Sequence, residues 1–201
     1  MSAQHYFSPE PDVEARTRTV EFHAGGRAFT LRTSTGVFSG NRLDAGTAVL
    51  LRKAPLPGPR GGRYLDLGCG YGPIAVVLAT ASATAEVYAV DVNTRALELV
   101  RANAAALGCA DRVTAVRPDQ VPDEVRFDEI WSNPPIRVGK AELHALLSRW
   151  LPRLAPGGSA WLVVARHLGA DSLQEWLTDS GWATERHAAQ KGYRVLRVTA
   201  P

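Results

Sequence analysis

Two short stretches of this chain carry residue types and spacings suited to chemistry. One is Ser132-Asn133-Pro134-Pro135-Ile136; the other, about sixty residues upstream, is Leu65-Asp66-Leu67-Gly68-Cys69-Gly70-Tyr71-Gly72. An exocyclic amine conjugated to a ring or a carbonyl is a weak nucleophile, because its lone pair is delocalised. The side-chain oxygen of Asn133 and the carbonyl of Pro134 are two acceptors that can take its two N–H groups and turn the lone pair toward an electrophilic methyl group. Pro134 and Pro135 stiffen the backbone, so the acceptors stand ready before a substrate arrives. No strong base is needed beforehand, since the nitrogen can lose its proton after transfer.

The upstream stretch suits a nucleoside-containing cofactor. Glycines at 68, 70 and 72 let the backbone approach a ligand closely, and the helix that follows offers its N-terminus to an anionic group. A glycine-rich strand–helix turn alone is shared with dinucleotide-binding proteins, although here the spacing is Gly-x-Gly-x-Gly rather than Gly-x-Gly-x-x-Gly. Two acids sharpen the reading. Asp66 precedes the turn, where a carboxylate can hold the ammonium of a methionine moiety. Asp91 lies 23 residues after Gly68 at the end of the next strand, where an acid can accept both ribose hydroxyl hydrogens.

These residues need elements that bring them together. The pattern predicts a hairpin over 17–33, with Val20 and Phe22 on one strand, Phe29 and Leu31 on the other, and Gly25-Gly26 in the turn. A short helix follows over 46–52, and the run Pro55-Leu56-Pro57-Gly58-Pro59-Arg60-Gly61-Gly62 reads as a connector. From there strands over 64–67, 86–90, 113–116, 127–131 and 160–165 alternate with helices over 73–81, 94–107, 139–151 and 171–180. Strands over 183–189 and 193–199 are separated by Gln190-Lys191-Gly192, too short for a crossover, so they should pair antiparallel. The alternation predicts an α/β fold, a mostly parallel sheet with helices on both faces. The expected division is an N-terminal appendage over 1–60 and a cofactor-binding domain over 61–201.

Composition narrows the class. The 201 residues suffice for an ordinary core, with 45% hydrophobic and 21% charged residues. No apolar run approaches the roughly 20 residues of a membrane span, and the first residues lack a signal-peptide layout. Cys69 and Cys109 are too few for a disulfide framework or a cysteine zinc site. The expectation is a cytoplasmic, reduced protein, monomeric by default, with no membrane or metal partner. Net charge is +3, but residues 1–63 hold nine Arg/Lys against five Asp/Glu, while the remainder holds fourteen against fifteen. Arg16, Arg18, Arg27, Arg32, Arg42, Arg52, Lys53, Arg60 and Arg63 are read either as a phosphate-facing surface or as scattered solvated arginines. His5, His23, His144, His167 and His187 show no metal-ligand spacing. The tryptophans at 131, 150, 161, 176 and 182 read as core.

The chain as a whole resembles the small methyltransferase-domain family of class I S-adenosylmethionine enzymes, which includes guanine-N2 methyltransferases of small-subunit ribosomal RNA. His5-Tyr6-Phe7-Ser8, Gly36-Val37-Phe38-Ser39, Leu43-Asp44-x-Gly46-Thr47, the Leu65–Gly72 turn, Ser132–Lys140 and Lys191-Gly192-Tyr193-Arg194-Val195 fall in the family's order. The form Asn133-Pro134-Pro135-Ile136-Arg137-x-Gly139-Lys140 is most similar to its stand-alone, single-domain members. The resemblance implies a Rossmann-like class I methyltransferase fold, a seven-stranded sheet with an antiparallel last strand, and S-adenosyl-L-methionine as cofactor. It implies cofactor contacts from Asp66, Gly68, Cys69, Gly70, Asp91, Val92, Asn93, Asn133, Phe38, Ser39 and Thr47, with Asp119 toward the adenine. It also implies that Phe38 and Ser39 lie in a loop folding over the methionine end, with Asp44 to Thr47 closing that side. Asn133, Pro134, Pro135 and Ile136 match the catalytic motif. Ile136 departs from the Phe or Tyr of many amine methyltransferases, so no aromatic partner for a base is supplied there.

The function that follows is methylation of an exocyclic amine, with guanine N2 of small-subunit ribosomal RNA in the lead and ribosomal RNA or the small subunit as partner. Such a base must be extruded or unpaired to reach a sheet-edge pocket. Arg137, Lys140, Lys191 and Arg194 flank the expected site as candidate phosphate contacts. A protein glutamine amide is a chemically similar alternative, and a non-catalytic RNA- or cofactor-binding module is a third. A nicotinamide dehydrogenase fits poorly, since nothing resembles a hydride-transfer acid.

Overall fold

A computed structural model describes residue 14, residues 16–38 and residues 42–200. The His5-Tyr6-Phe7-Ser8 segment and Ser39 lie outside the described residues, as does the side chain of Arg137.

Strands β1 (Thr17–Ala24) and β2 (Arg27–Ser34) pair antiparallel across Gly25-Gly26, whose φ angles of +54° and +74° make the tight turn. Their alternating pattern puts Val20, Phe22, Phe29 and Leu31 on one buried face, with the Phe22 and Phe29 rings stacked at 5.2 Å. Helix α1 (Ala45–Lys53) follows, capped by Asp44. Next come β3 (Gly62–Leu67), α2 (Pro73–Ala81), β4 (Ala85–Val90), α3 (Thr94–Ala106), β5 (Val113–Val116), β6 (Phe127–Ser132), α4 (Lys140–Trp150), β7 (Leu154–Ala165), α5 (Ala170–Asp179), β8 (Ala183–Gln190) and β9 (Tyr193–Thr199).

The seven strands after α1 form one sheet of order β5-β4-β3-β6-β7-β9-β8. All run parallel except β9, which inserts antiparallel between β7 and β8. The order reverses between β3 and β6, so the carboxyl ends of β3, β4 and β6 converge on one crevice, where ligands bind in open α/β sheets. One core packs α1, α2, α3 and the hairpin against one sheet face; the second packs α4 and α5 against the other. Residues Pro73 to Ala79 of α2 are all buried, so this helix is held by enclosure rather than by one apolar stripe.

Two details differ from the sequence reading. Strand β7 begins at Leu154 rather than 160, because Pro156-Gly157-Gly158 bulges within the strand instead of ending it; β6 pairs Phe127 with Leu154 but Glu129 with Ser159. Of the five tryptophans only Trp131, Trp150 and Trp161 are buried. Trp176 and Trp182 are partly buried, and Trp176 stacks on the His144 ring at 3.8 Å.

Besides its apolar packing, the hairpin is tied to the domain by a buried amide on α3. Asn103 accepts the Arg32 N–H at 2.7 Å and donates to the carbonyls of Arg32 and Tyr71, each at 2.9 Å. It therefore ties β2 to the glycine turn. Replacing Asn103 with Ala leaves these backbone groups unpaired, at about 1–3 kcal/mol each where burial is complete. Urea unfolding of Asn103→Ala should show a loss of about 2–4 kcal/mol; a loss below half a kcal/mol would show that Asn103 does not dock the hairpin.

Candidate active site

The glycine turn leaves β3 and bends across β4. The N–H groups of Gly68 and Cys69 donate to the Val90 carbonyl at 2.8 and 3.1 Å, and that of Gly70 donates to Asp91 Oδ2 at 2.9 Å. Gly68, Gly70 and Gly72 all hold positive φ, but for different reasons. A side-chain carbon added at Gly68 or Gly70 would project into open space, leaving bare backbone along the crevice. One added at Gly72 would lie 2.9 Å from Val100 of α3, so this third glycine serves helix packing.

Asp91 is half-buried and its other oxygen accepts the Asn93 N–H at 2.9 Å, so one carboxylate joins the turns after β3 and β4. Each oxygen keeps lone-pair capacity for a further donor. Val92 lies in the β4–α3 turn, half-buried. The Asn93 side chain is engaged within the protein: it caps α3 through the Ala96 N–H at 3.2 Å and donates to the Gly36 carbonyl at 2.9 Å. It thereby anchors the loop leading to Phe38, which is 49% exposed and lines the cavity. Asp119 stands apart from the cavity, its exposed carboxylate paired with Arg117 at 3.4 Å.

Asp66 is fully buried. One oxygen accepts the Ala75 N–H at 2.9 Å, near the start of α2, and the other has no partner among the described residues. Burial pushes its carboxyl up to about 8, and the neighbouring Asp91 adds to the rise against the Ala75 hydrogen bond. An orphaned buried carboxyl oxygen beside a bare glycine cradle fits a ligand with an ammonium group, whose positive charge would favour the ionised form. The Cys69 thiol is pushed well up by burial and by the Asp91 and Asp66 charges, so it stays protonated and serves as a small wall.

The Asn-Pro-Pro segment leaves β6 at the same edge, held by the buried Ser132 hydroxyl donating to the Leu67 carbonyl at 2.8 Å. The Asn133 Nδ2 group donates to Asp44 Oδ2 at 2.7 Å and to Thr47 Oγ1 at 3.0 Å. Both of its hydrogens are thus used, and among the described residues none donates to Oδ1. Asp44 Oδ2 also takes the Gly46 and Thr47 N–H groups at 2.8 and 3.1 Å, so the cap of α1 and the Asn133 clamp are one structure. Pro135, with φ −75° and ψ 73°, centres a three-residue turn in which the Pro134 carbonyl accepts the Ile136 N–H at 2.8 Å. That carbonyl keeps a second lone pair. Ile136 is half-buried and packs on the core beneath α4.

The cavity is lined by Phe38, Asp44, Thr47, Gly68 to Tyr71, Pro73, Ile74 and Asn133. Of the residues expected from sequence it gathers Phe38, Thr47, Gly68, Cys69, Gly70 and Asn133. Four further lining residues, Asp44, Tyr71, Pro73 and Ile74, are not among the site residues expected from sequence. The resemblance gives Asp44 only as part of the segment closing the methionine side; its position at a helix cap is the signal for its hydrogen bond to Asn133. Tyr71 stands between Gly70 and Gly72, its hydroxyl buried without a partner among the described residues, and burial together with the Asp44 charge keeps it un-ionised.

Asp66 makes stability depend on pH. The unfolded chain releases this proton near 3.8 and the native carboxyl holds it to about 8. Between those values the native state binds more protons than the unfolded state, so stability falls as pH rises, by up to about 1.4 kcal/mol per pH unit, and levels off above about 8. Urea titrations at pH 5, 7 and 9 on the ligand-free protein should show this decline, flattened in Asp66→Asn. Equal slopes in the two proteins would place the high-pKa group elsewhere.

The family model of the methyltransferase small domain matches residues 28–197. The chain is 33% identical over 199 residues to YbxB, an uncharacterized protein of Bacillus subtilis (strain 168), covering 98% of both chains. It is 36% identical over 163 residues to ribosomal RNA small subunit methyltransferase C of Shewanella loihica, covering 79% of this chain and 46% of that protein. It thus spans about half of the length of that ribosomal RNA methyltransferase. A similar solved structure is the T. thermophilus 16S rRNA N2 G1207 methyltransferase (RsmC) in complex with AdoMet and guanosine: TM-score 0.75 and 27% identity over 95% of this chain and 52% of that one. Sheet order, glycine turn and a family match over most of its length lead to one conclusion: the chain belongs to the methyltransferase small-domain family.

Proposed function

We propose that this methyltransferase transfers the methyl group of S-adenosyl-L-methionine to an exocyclic amine, guanine N2 of small-subunit ribosomal RNA being the favoured acceptor. The observation that carries the reaction type is the Asn133 amide, whose Nδ2 is consumed by Asp44 and Thr47 while no described residue donates to Oδ1. When bound, the cofactor supplies an electrophilic methyl group on a positively charged sulfur. Asp66, with its unpartnered oxygen, would hold the ammonium, Asp91 the ribose hydroxyls, and Gly68 and Gly70 the passing chain.

Asn133 Oδ1 and the Pro134 carbonyl take the two N–H groups of the acceptor amine. Asp44 polarises the amide from its far side, so negative charge collects on Oδ1 as the amine nitrogen becomes positive. The methylated nitrogen releases its proton to solvent after transfer, since the protonated Cys69 thiol and the un-ionised Tyr71 hydroxyl are not bases. The RNA reading is supported by the ribosomal RNA methyltransferases among the relatives and by the RsmC structure. A protein glutamine amide is the second acceptor with the required geometry, and Ile136 in place of an aromatic residue argues mildly against it.

Asn133→Ala should lower kcat by at least about 100-fold while the Kd for S-adenosylmethionine moves by less than about 3-fold, measured by calorimetry; full activity in this variant would remove the mechanism. The acceptor is tested with tritiated cofactor, unmodified 16S ribosomal RNA, small subunits and a release factor in parallel reactions. Label in the RNA as N2-methylguanosine is expected, and label in the release factor alone would transfer the reading to the amide.

A further inference from the structure

The strand order divides the carboxyl edge of the sheet at β6. On one side β3 and β4 deliver Asp66, the glycine turn and Asp91. On the other, Arg166 follows β7 and Lys191 stands in the β8–β9 turn, with Lys140 opening α4 just beyond the Asn-Pro-Pro segment. The structure separates cations that are equivalent in sequence. Arg194 is half-buried and pairs with Asp171, which also takes Arg186. Lys140, Arg166 and Lys191 are exposed, and among the described residues no carboxylate pairs with any of them.

Two of these three stand against local preference. Lys191 has φ +50°, the one positive φ outside glycine among the described residues, followed by Gly192 at +79°. A two-residue hairpin turn with positive φ at both positions favours Asn, Asp or Gly in the first, so lysine strains it. Lys140 is the first residue of α4, where the helix dipole disfavours a cation. The turn itself is held firmly to the site. The Arg166 N–H donates to the Gly192 carbonyl at 2.8 Å. The Tyr193 ring lies against Gly46, close enough that an added side-chain carbon there would meet Cε1 at 3.0 Å. Gly46 belongs to the same cap that holds Asn133.

We propose that Lys191, flanked by Arg166 and Lys140, is the phosphate-binding track that seats the RNA backbone while the target base enters the Asn133 cavity. This rests on the ribosomal RNA reading above. Two strand spacings separate β6 from β9, roughly 10 Å, a span that a nucleotide bridges from base to flanking phosphate. Three of the nine basic residues of the N-terminal third are engaged away from this surface: Arg16 pairs with Glu14, Arg27 donates to the Thr80 carbonyl, and Arg63 pairs with Glu86 at the opposite end of β3. Arg52, by contrast, donates to Gln190 Oε1 at 3.3 Å beside Lys191.

Lys191→Asn tests the assignment, because asparagine suits the turn but removes the charge, and Lys191→Arg keeps the charge. With unmodified 16S ribosomal RNA, Lys191→Asn should raise Kd and KM about 3- to 10-fold and reduce the slope of log affinity against log salt by about 0.7–1. Its Kd for S-adenosylmethionine should be unchanged, and its urea midpoint equal to or above wild type. Lys191→Arg should restore RNA binding. Unchanged RNA affinity and salt slope in both Lys191→Asn and the triple variant with Lys140→Ala and Arg166→Ala would overturn the proposal while the RNA reading stood. Wild-type protein that binds cofactor but labels only the release factor would overturn the RNA reading and this proposal with it.

Discussion

A primary amide has two ends of nearly equal shape and opposite chemistry, and the site depends on which end of Asn133 faces the cavity. The clamp decides it. Asp44 and Thr47 accept both Nδ2 hydrogens, and an amide turned the other way would set its carbonyl against the Asp44 carboxylate. The two partners are separated from Asn133 by 89 and 86 residues, so the reactive amide is oriented only once α1 has docked. Helix α1, its cap and the hairpin before it therefore complete the site; they share one core cluster with α2, α3 and the sheet.

The remaining geometry follows from the sheet. Parallel strands present their carboxyl ends together, and the reversal of order between β3 and β6 opens the crevice that Asp66, Gly70 and Asn133 border. Asp91 then acts as a strut between the turns after β3 and β4, accepting Gly70 and Asn93. Asn103 ties the same glycine turn to β2, and Asn93 ties the start of α3 to the loop before Phe38. Three polar side chains at the ends of β4 and along α3 thus carry the hairpin, the glycine turn and the covering loop as one body.

Most of the fold is legible in the sequence because the strand–helix rhythm, Pro73 at the head of α2 and the short Gln190-Lys191-Gly192 link each act locally. The sheet edge is legible too, since Asn133 and Asp91 directly follow strands. What a linear reading misses is long-range and directional. Nothing local shows that Asp44 and Asn133 share a hydrogen bond, that the Asn93 side chain is spent on Gly36, or that Asp119 turns to Arg117. The bulge in β7 was read as a turn because Pro156-Gly157-Gly158 is the usual signal for one; pairing with β6 on both sides overrides it. Ile136 shows the same limit: the resemblance places it in the catalytic motif, and only the structure shows that it is half-buried against the second core.

The site also holds groups that folding leaves unmatched. The second oxygen of Asp66 and the Tyr71 hydroxyl are buried without partners among the described residues, each costing about 1–3 kcal/mol relative to a paired group. Their positions explain why the cost persists. Asp66 cannot swing to water, because its other oxygen is held by the Ala75 N–H in an enclosed helix, and Tyr71 is fixed through its own carbonyl by Asn103. Relaxing either would require dismantling the turn that makes the cradle. The compensation therefore comes from elsewhere, from the buried Pro73–Ala79 stretch of α2 and the two cores that flank the sheet. An arriving ligand meets polar groups already desolvated and already aimed, and the free energy of pairing them goes to binding rather than to folding.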